Sequence, residues 1–285
     1  MTVKLAMAQI HVEGGRPDAN LERAAKVIAE AAERGAQIVV LPECLDLGWT
    51  DPCSWEAAQP IPGPHSDRLA EAARRHGVHV VAGLVERAPV ARDAQGRPRL
   101  YNSAVLIDPR GAILHVHRKI NELDIAHEFY AVGDRLGVVE TELGVLGIDV
   151  CADNFPDSLA LGHVLARMGA QIILSPCAWA VPVDYDHSRE PYGDLWRGAY
   201  RELARLYDLP VIGVSSVGKI RGGPWHGRKL IGCSLAMGGD GEIIAEGPYG
   251  EDAEAVLMVD IELRTHAARG TDVAEDLRRR GYAGP

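Results

Sequence analysis

The sequence has no C-x-x-C pair, no excess of basic side chains, and no apolar run long enough to cross a bilayer. Its five cysteines are odd in number and irregularly spaced, which excludes a disulfide framework and a zinc ribbon. Lys and Arg number 30 against 40 Asp and Glu, a formal charge of −10. That balance argues against partners with anionic surfaces, whether nucleic acid or membrane. The longest uncharged stretch, Met168 to Val183, carries two prolines and is too short to span. The first ten residues meet His11, Glu13 and Arg16 before a full apolar h-region can form, so they do not read as a signal peptide. Aromatic residues make up 5% of the chain, and Phe occurs only 2 times. Low-complexity tracts and Pro- or Ser-rich linkers are missing too. These absences predict a cytoplasmic protein with reduced thiols.

What is present is a near-average globular composition, 47% hydrophobic and 25% charged over 285 residues. A chain of this length buries about 75% of its unfolded surface on folding. Short apolar runs alternate with amphipathic ones. Val3–Val12 reads as a strand, Asn20–Arg34 as a helix stopped by Gly35, and Gln37–Leu41 as a buried strand. Asp67–His76 then reads as a helix and Val78–Val85 as a strand. This β-α-β-α-β order belongs to a mostly parallel sheet covered by helices. Leu100–Asp108 and Ala112–Arg118, joined by Pro109-Arg110-Gly111, predict a β-hairpin. Val138–Glu140 and Val145–Val150 predict another strand pair. Beyond them, helices over Asp157–Met168 and Leu195–Tyr207 alternate with strands over Gln171–Leu174 and Val211–Val214. Three final strands surround a turn at Gly238-Gly239-Asp240-Gly241.

Three reactive side chains each follow a predicted strand: Glu43 after Ile38–Pro42, Lys119 after Ile113–Arg118, and Cys151 after Val145–Val150. In open α/β sheets ligands bind beyond the carboxyl ends of strands, so residues far apart in sequence can converge there. Cys151 precedes Pro156-Asp157, which suit a first helical turn. A thiol at such a turn is exposed to the positive end of the helix, an arrangement that lowers its pKa. The backbone N–H of Ala152 is a candidate oxyanion donor. Lys119 is suited to stabilising negative charge, and Glu43 to moving a proton. Each residue taken singly is equally compatible with a buried inert thiol, a solvated acid, or a lysine paired with Glu122.

Leu41-Pro42-Glu43, His117-Arg118-Lys119, and Gly147-Ile148-Asp149-Val150-Cys151 followed by Phe155-Pro156-Asp157 resemble, in order and approximate spacing, the nitrilase superfamily of carbon–nitrogen hydrolases. The resemblance runs from Lys4–Gln9 to Val259–Glu262, nearly the whole chain. It implies a four-layer α-β-β-α sandwich spanning residues 1–265 with a C-terminal tail over 266–285. It implies no metal or organic cofactor. Glu43 would be general base and acid, Cys151 the nucleophile, and Lys119 the stabiliser of the tetrahedral intermediate. A second glutamate, Glu128 in His127–Asp134, would orient Lys119 and substrate, with Glu122 as second choice. The resemblance also implies homo-oligomers built on a dimer.

The chain departs from many relatives after the nucleophile. It reads Cys151-Ala152-Asp153-Asn154-Phe155-Pro156-Asp157 where they carry Cys-Tyr-Asp-x-Arg-Phe-Pro-Glu. The turn is one residue shorter and lacks an arginine. Asn154 is then a neutral candidate for substrate contact, with Trp49 and Trp179 as candidate pocket residues. The expected reaction hydrolyses a small amide or N-carbamoyl compound through a thioester, releasing ammonia or an amine. A nitrile would use the same residues, and a non-catalytic member would serve as a binding module.

Two further motifs point elsewhere. Gly213–Lys219 matches the first seven places of a P-loop, but Ile220 stands where a Mg²⁺-binding Ser or Thr is required. His115 and His117 share one strand face as metal ligands might, yet no third ligand of recognisable spacing follows.

Overall fold

The computed structural model describes residues 1–92, 95–265 and 276–281. In chain order the first half contains β1 (Thr2–Gln9), α1 (Pro17–Glu33), β2 (Ile38–Val40), α2 (Ser54–Ala57), α3 (Pro64–His76), β3 (His79–Arg92), β4 (Pro98–Ile107) and β5 (Ile113–Arg118). The second half contains β6 (Val138–Thr141), β7 (Gly144–Ile148), α4 (Leu159–Arg167), β8 (Ile172–Cys177), β9 (Ala180–Val181), α5 (Asp194–Tyr207), β10 (Val211–Ser215), β11 (Val217–Lys219), β12 (Lys229–Ile231), β13 (Leu235–Met237), β14 (Ile243–Glu246) and β15 (Ala255–Glu262).

Strand alternation explains the layering. In β1, Val3, Leu5 and Met7 face one way and join Leu146, Ile148, Ile172 and Leu174 of the other sheet in one core. Ala6 and Ala8 face the opposite way, against Leu21, Ala24 and Ile28 of α1 and Leu69 and Ala73 of α3. A period of two thus sends alternate side chains to different layers. Helix α1 spaces its apolar residues three and four apart, which puts them on one buried face. On the far side, Leu165 of α4 and Tyr200 and Leu203 of α5 cover the second sheet. The result is the expected four-layer α-β-β-α sandwich.

The first sheet runs β15-β1-β2-β3-β4-β5 and the second β14-β13-β10-β8-β7-β6. β1, β2 and β3 are parallel, and β3-β4-β5 are antiparallel. The predicted hairpins at Pro109–Gly111 and Gly238–Gly241 both form; Asp108 Oδ1 accepts the Arg110 and Ala112 amides in the first. β7, β8 and β10 are parallel. The carboxyl ends of β2, β7 and β8 therefore approach one another between the sheets. A small sheet, β11-β12-β9, was not expected. Its strands are two or three residues long, too short to show a hydrophobic period.

The P-loop-like stretch folds as β10 and β11, ordinary ladder strands. The boundary expected after residue 265 falls on residues outside those described. Of the expected tail, 276–281 are described, and Leu277 is buried against the main core.

Candidate active site

Glu43, Lys119 and Cys151 line one cavity of about 380 Å³. Glu43 lies in the loop after β2, held by its own amide donating to the Cys177 carbonyl at 3.2 Å. Strand β3 passes this loop at close range. A Cβ on Gly83 would sit 2.4 Å from the Glu43 Cα and 2.8 Å from the Cys44 nitrogen. Only glycine lets the backbones approach so closely.

Glu43 Oε1 accepts from Lys119 Nζ at 2.7 Å and also from Asn102 Nδ2. The Lys119 amide donates to the Asn102 carbonyl at 2.8 Å. One β4 residue therefore holds both catalytic candidates. Lys119 is 2% exposed, and burial alone would push it toward the neutral amine. The carboxylates of Glu122 and Glu43 outweigh that, holding the ammonium well above the ordinary lysine range.

Cys151 begins a single 3₁₀ turn, Cys151–Asn154, with φ at +46°. This left-handed backbone is costly for a non-glycine residue. Its amide donates to Ser175 Oγ at 3.0 Å. Ala152 lines the cavity beside it, and amides in a first turn precede any partner within that turn. The expectation of a helix-activated thiol is corrected in two respects. The α-helix begins only at Leu159, so one short turn stands between it and the sulfur. Burial, the neighbouring Cys177 thiol and the Glu43 charge push the Cys151 thiol well above its ordinary value, against the pull of Lys119. These surroundings favour the neutral thiol of Cys151 over the thiolate. Cys177 is fully buried beside Cys151.

The second glutamate is also corrected. Glu128 is exposed on the surface. Glu122 is buried, with Oε2 at 3.6 Å from Lys119 Nζ, and neither of its oxygens has a hydrogen-bond partner. Burial raises its pKa to about 8; Lys119 opposes that shift, and Glu43 and Asp153 add to it. The loop after Lys119 turns inward at once, and Asp124–Ala126 form a 3₁₀ turn that carries Glu128 outward.

Asn154 is not in the cavity wall either. It is fully buried beneath the turn, its Nδ2 donating to Asp149 Oδ1 at 2.7 Å and Ser175 Oγ at 3.2 Å. Trp49 and Trp179 do line the cavity, 6% and 2% exposed. Trp49 packs on Trp225 at 5.1 Å and Trp179 on Trp196 at 4.7 Å.

Asp153 was missed as a site residue. Its Oδ1 accepts the amides of Ile120 and Asn121, and its Oδ2 accepts the Val150 amide and meets His117 Nε2 at 2.8 Å. Burial works against its charge, but His117, the Asn121 amide and Lys119 hold its pKa below the ordinary range. One carboxylate thereby ties the Lys119 loop to the turn at Cys151. His117 is committed to this carboxylate, and among the described residues no cluster of three or more His, Cys, Asp or Glu is placed to hold a metal ion. The available signal for Asp153 was its place two residues after Cys151; for Asn102 there was only a polar residue inside an apolar strand.

The carbon–nitrogen hydrolase family model matches residues 4–269. The chain belongs to this family. It is 33% identical over 268 residues to a nitrilase of Pyrococcus abyssi, covering 92% of this chain and 91% of that one. It is 30% identical over 275 residues to the omega-amidase NIT2-B of Xenopus laevis, covering 92% and 89%. In fold it is similar to a carbon–nitrogen hydrolase from Helicobacter pylori, with TM-score 0.79, 22% identity, and coverage of 98% and 93%. A second fold neighbour is an amidase from Nesterenkonia sp., solved as a mutant with acrylamide added at its active-site cysteine (TM-score 0.76, 20% identity, coverage 98% and 100%). At those identities the solved structures speak for the fold alone. The family membership supports hydrolysis of an amide-type C–N bond. Among the described residues no helix is long and apolar enough to cross a membrane.

Proposed function

We propose that this carbon–nitrogen hydrolase cleaves small primary amides or N-carbamoyl compounds through a thioester on Cys151. The observation that carries this reading is the convergence of Glu43, Lys119 and Cys151 on one cavity, with Lys119 bonded to Glu43. Because the resting thiol is protonated, attack is concerted with proton transfer. Cys151 Sγ bonds to the amide carbon while its proton passes to Glu43. The carbonyl π electrons move to oxygen, and the Lys119 ammonium and the Ala152 amide stabilise that oxyanion. Glu43 returns the proton to the nitrogen, the C–N bond breaks, and ammonia leaves. Water, deprotonated by Glu43, then attacks the thioester and releases the acid, and the thiol regains its proton. Glu122 acts through Lys119 as a positioning residue.

A nitrile would give a thioimidate on the same sulfur, and the nitrilase of Pyrococcus abyssi supports keeping that substrate in the test. The discriminating experiment is ammonia release from a panel of amides, ureido acids and nitriles. Cys151→Ala is expected to lower turnover about 10⁴-fold or more. Unchanged turnover in that variant contradicts the mechanism, and partner-protein binding with no turnover on any substrate favours a binding module.

A further inference from the structure

The cavity beyond the sulfur has a chemistry of its own. Phe155, Trp179, Tyr192 and Trp196 form a contiguous aromatic wall: Trp196 lies 5.0 Å from Phe155 and 4.7 Å from Trp179, and Tyr192 lies 6.2 Å from Trp179. A chain with 5% aromatic residues has concentrated them beside its nucleophile. Flat apolar walls of this kind favour a flat apolar ligand group through area burial and ring stacking.

The charges in the wall point the same way. Three acidic residues, Glu43, Glu190 and Asp194, are among the described lining residues, the last two exposed at the mouth, and Lys119 is the one cation among them. Lys119 is already bonded to Glu43. Glu190 and Asp194 come from the segment between β9 and the start of α5, at the cavity mouth. Asp194 is paired with Arg197 at 3.0 Å, but Arg197 is shared with Glu246. A substrate carboxylate would meet net negative charge and find no guanidinium fork to receive it. The uncommitted donors in the wall are neutral. The Tyr192 hydroxyl accepts from Trp196 Nε1 at 2.8 Å and keeps its own proton for an acceptor. The Trp179 Nε1–H is buried without an acceptor.

We infer that the substrate is an uncharged amide whose acyl group carries an aryl or similarly flat apolar group, and that amides bearing a free carboxylate are disfavoured. This deepens the hydrolase reading and rests on it. The test measures kcat/KM by ammonia release for 3-phenylpropanamide and for glutaramate, the monoamide of a dicarboxylic acid. Binding of both to the Cys151→Ala protein is followed by tryptophan fluorescence. The expected result is a preference of roughly tenfold or more for the aryl amide in both assays, the scale at which pocket contacts discriminate. Trp196→Leu should reduce that preference through KM, and Glu190→Lys should shift the ratio toward glutaramate. Equal or better use of glutaramate overturns the inference while leaving the hydrolase intact. Aryl-selective binding with no turnover of any amide overturns the hydrolase reading and leaves the cavity's selectivity standing.

Discussion

At the residue scale the site is a compact set of buried charges whose signs nearly cancel. Lys119 sits between two carboxylates, one hydrogen-bonded and one at 3.6 Å with no other partner. Glu122, with its pKa raised to about 8 by burial, is largely protonated at neutral pH. Above that value it adds a second negative charge beside the developing oxyanion. We therefore expect kcat/KM to fall as pH rises through about 8, and Glu122→Gln to remove or displace that limb. A pH–rate profile of the two proteins checks this; an unchanged upper limb in the variant contradicts it. Glu128→Gln, on the exposed loop, should leave the profile as it is. The sequence showed the acids near Lys119 but not which would turn inward, because the choice depends on the path of the loop after β5. The motif spacing favoured Glu128, and burial favours Glu122.

At the scale of elements, the site depends on close contacts between strands that share no local sequence. Gly83 of β3 is the clearest case. An added Cβ would meet the backbone at Glu43 and Cys44 well inside contact distance, and backbone cannot move aside as a flexible side chain would. Gly83→Ala should lower kcat by roughly tenfold or more through displacement of Glu43, with a loss of thermal stability. Retained kcat would show that the β2–β3 approach does not set the geometry. Strands and helices with a clear hydrophobic period, such as β1, α1 and α5, were legible in the sequence, as were the Pro/Gly turns. The short strands β9 and β11 were not, since pairing rather than pattern defines them. Nor was the turn at Cys151 legible in detail: Pro156-Asp157 suggested an immediate helix, whereas a 3₁₀ turn intervenes and the helix starts at Leu159. Asn102 and Asp153 were missed for the same reason: each acts through tertiary partners contributed by other elements.

At the scale of the whole molecule, burying these acids makes stability depend on pH. Asp149, fully buried, has its pKa raised to about 7, first by burial and then by Asp153; Glu122 is raised to about 8. Both are protonated in the fold over a range where the unfolded chain, with ordinary carboxyl values, has lost those protons. Through these two groups the folded state binds more protons, and their contribution to stability falls as pH rises from about 4 toward 8. Their contribution is full below the unfolded pKa values and is lost across that window. Denaturant unfolding at several pH values should show that slope, and the Asp149→Asn/Glu122→Gln double variant should flatten it. A slope unchanged in the double variant would assign the pH dependence to other groups. The four-layer architecture was readable from the motif resemblance; element order alone read as a mostly parallel sheet covered by helices. The aromatic concentration around the cavity was not, because Phe155, Trp179, Tyr192 and Trp196 are scattered along the chain and meet only in the fold.

The central claim is that Cys151 forms an acyl–enzyme bond during amide hydrolysis. Intact-protein and peptide mass spectrometry after rapid acid quench, with 3-phenylpropanamide and with a short aliphatic amide, tests it most directly. The account predicts the mass of the acyl group on the peptide containing Cys151 for each amide that is turned over. It predicts no adduct in Cys151→Ala. Ammonia release that persists in Cys151→Ala, or an acyl group found on another residue, would contradict it.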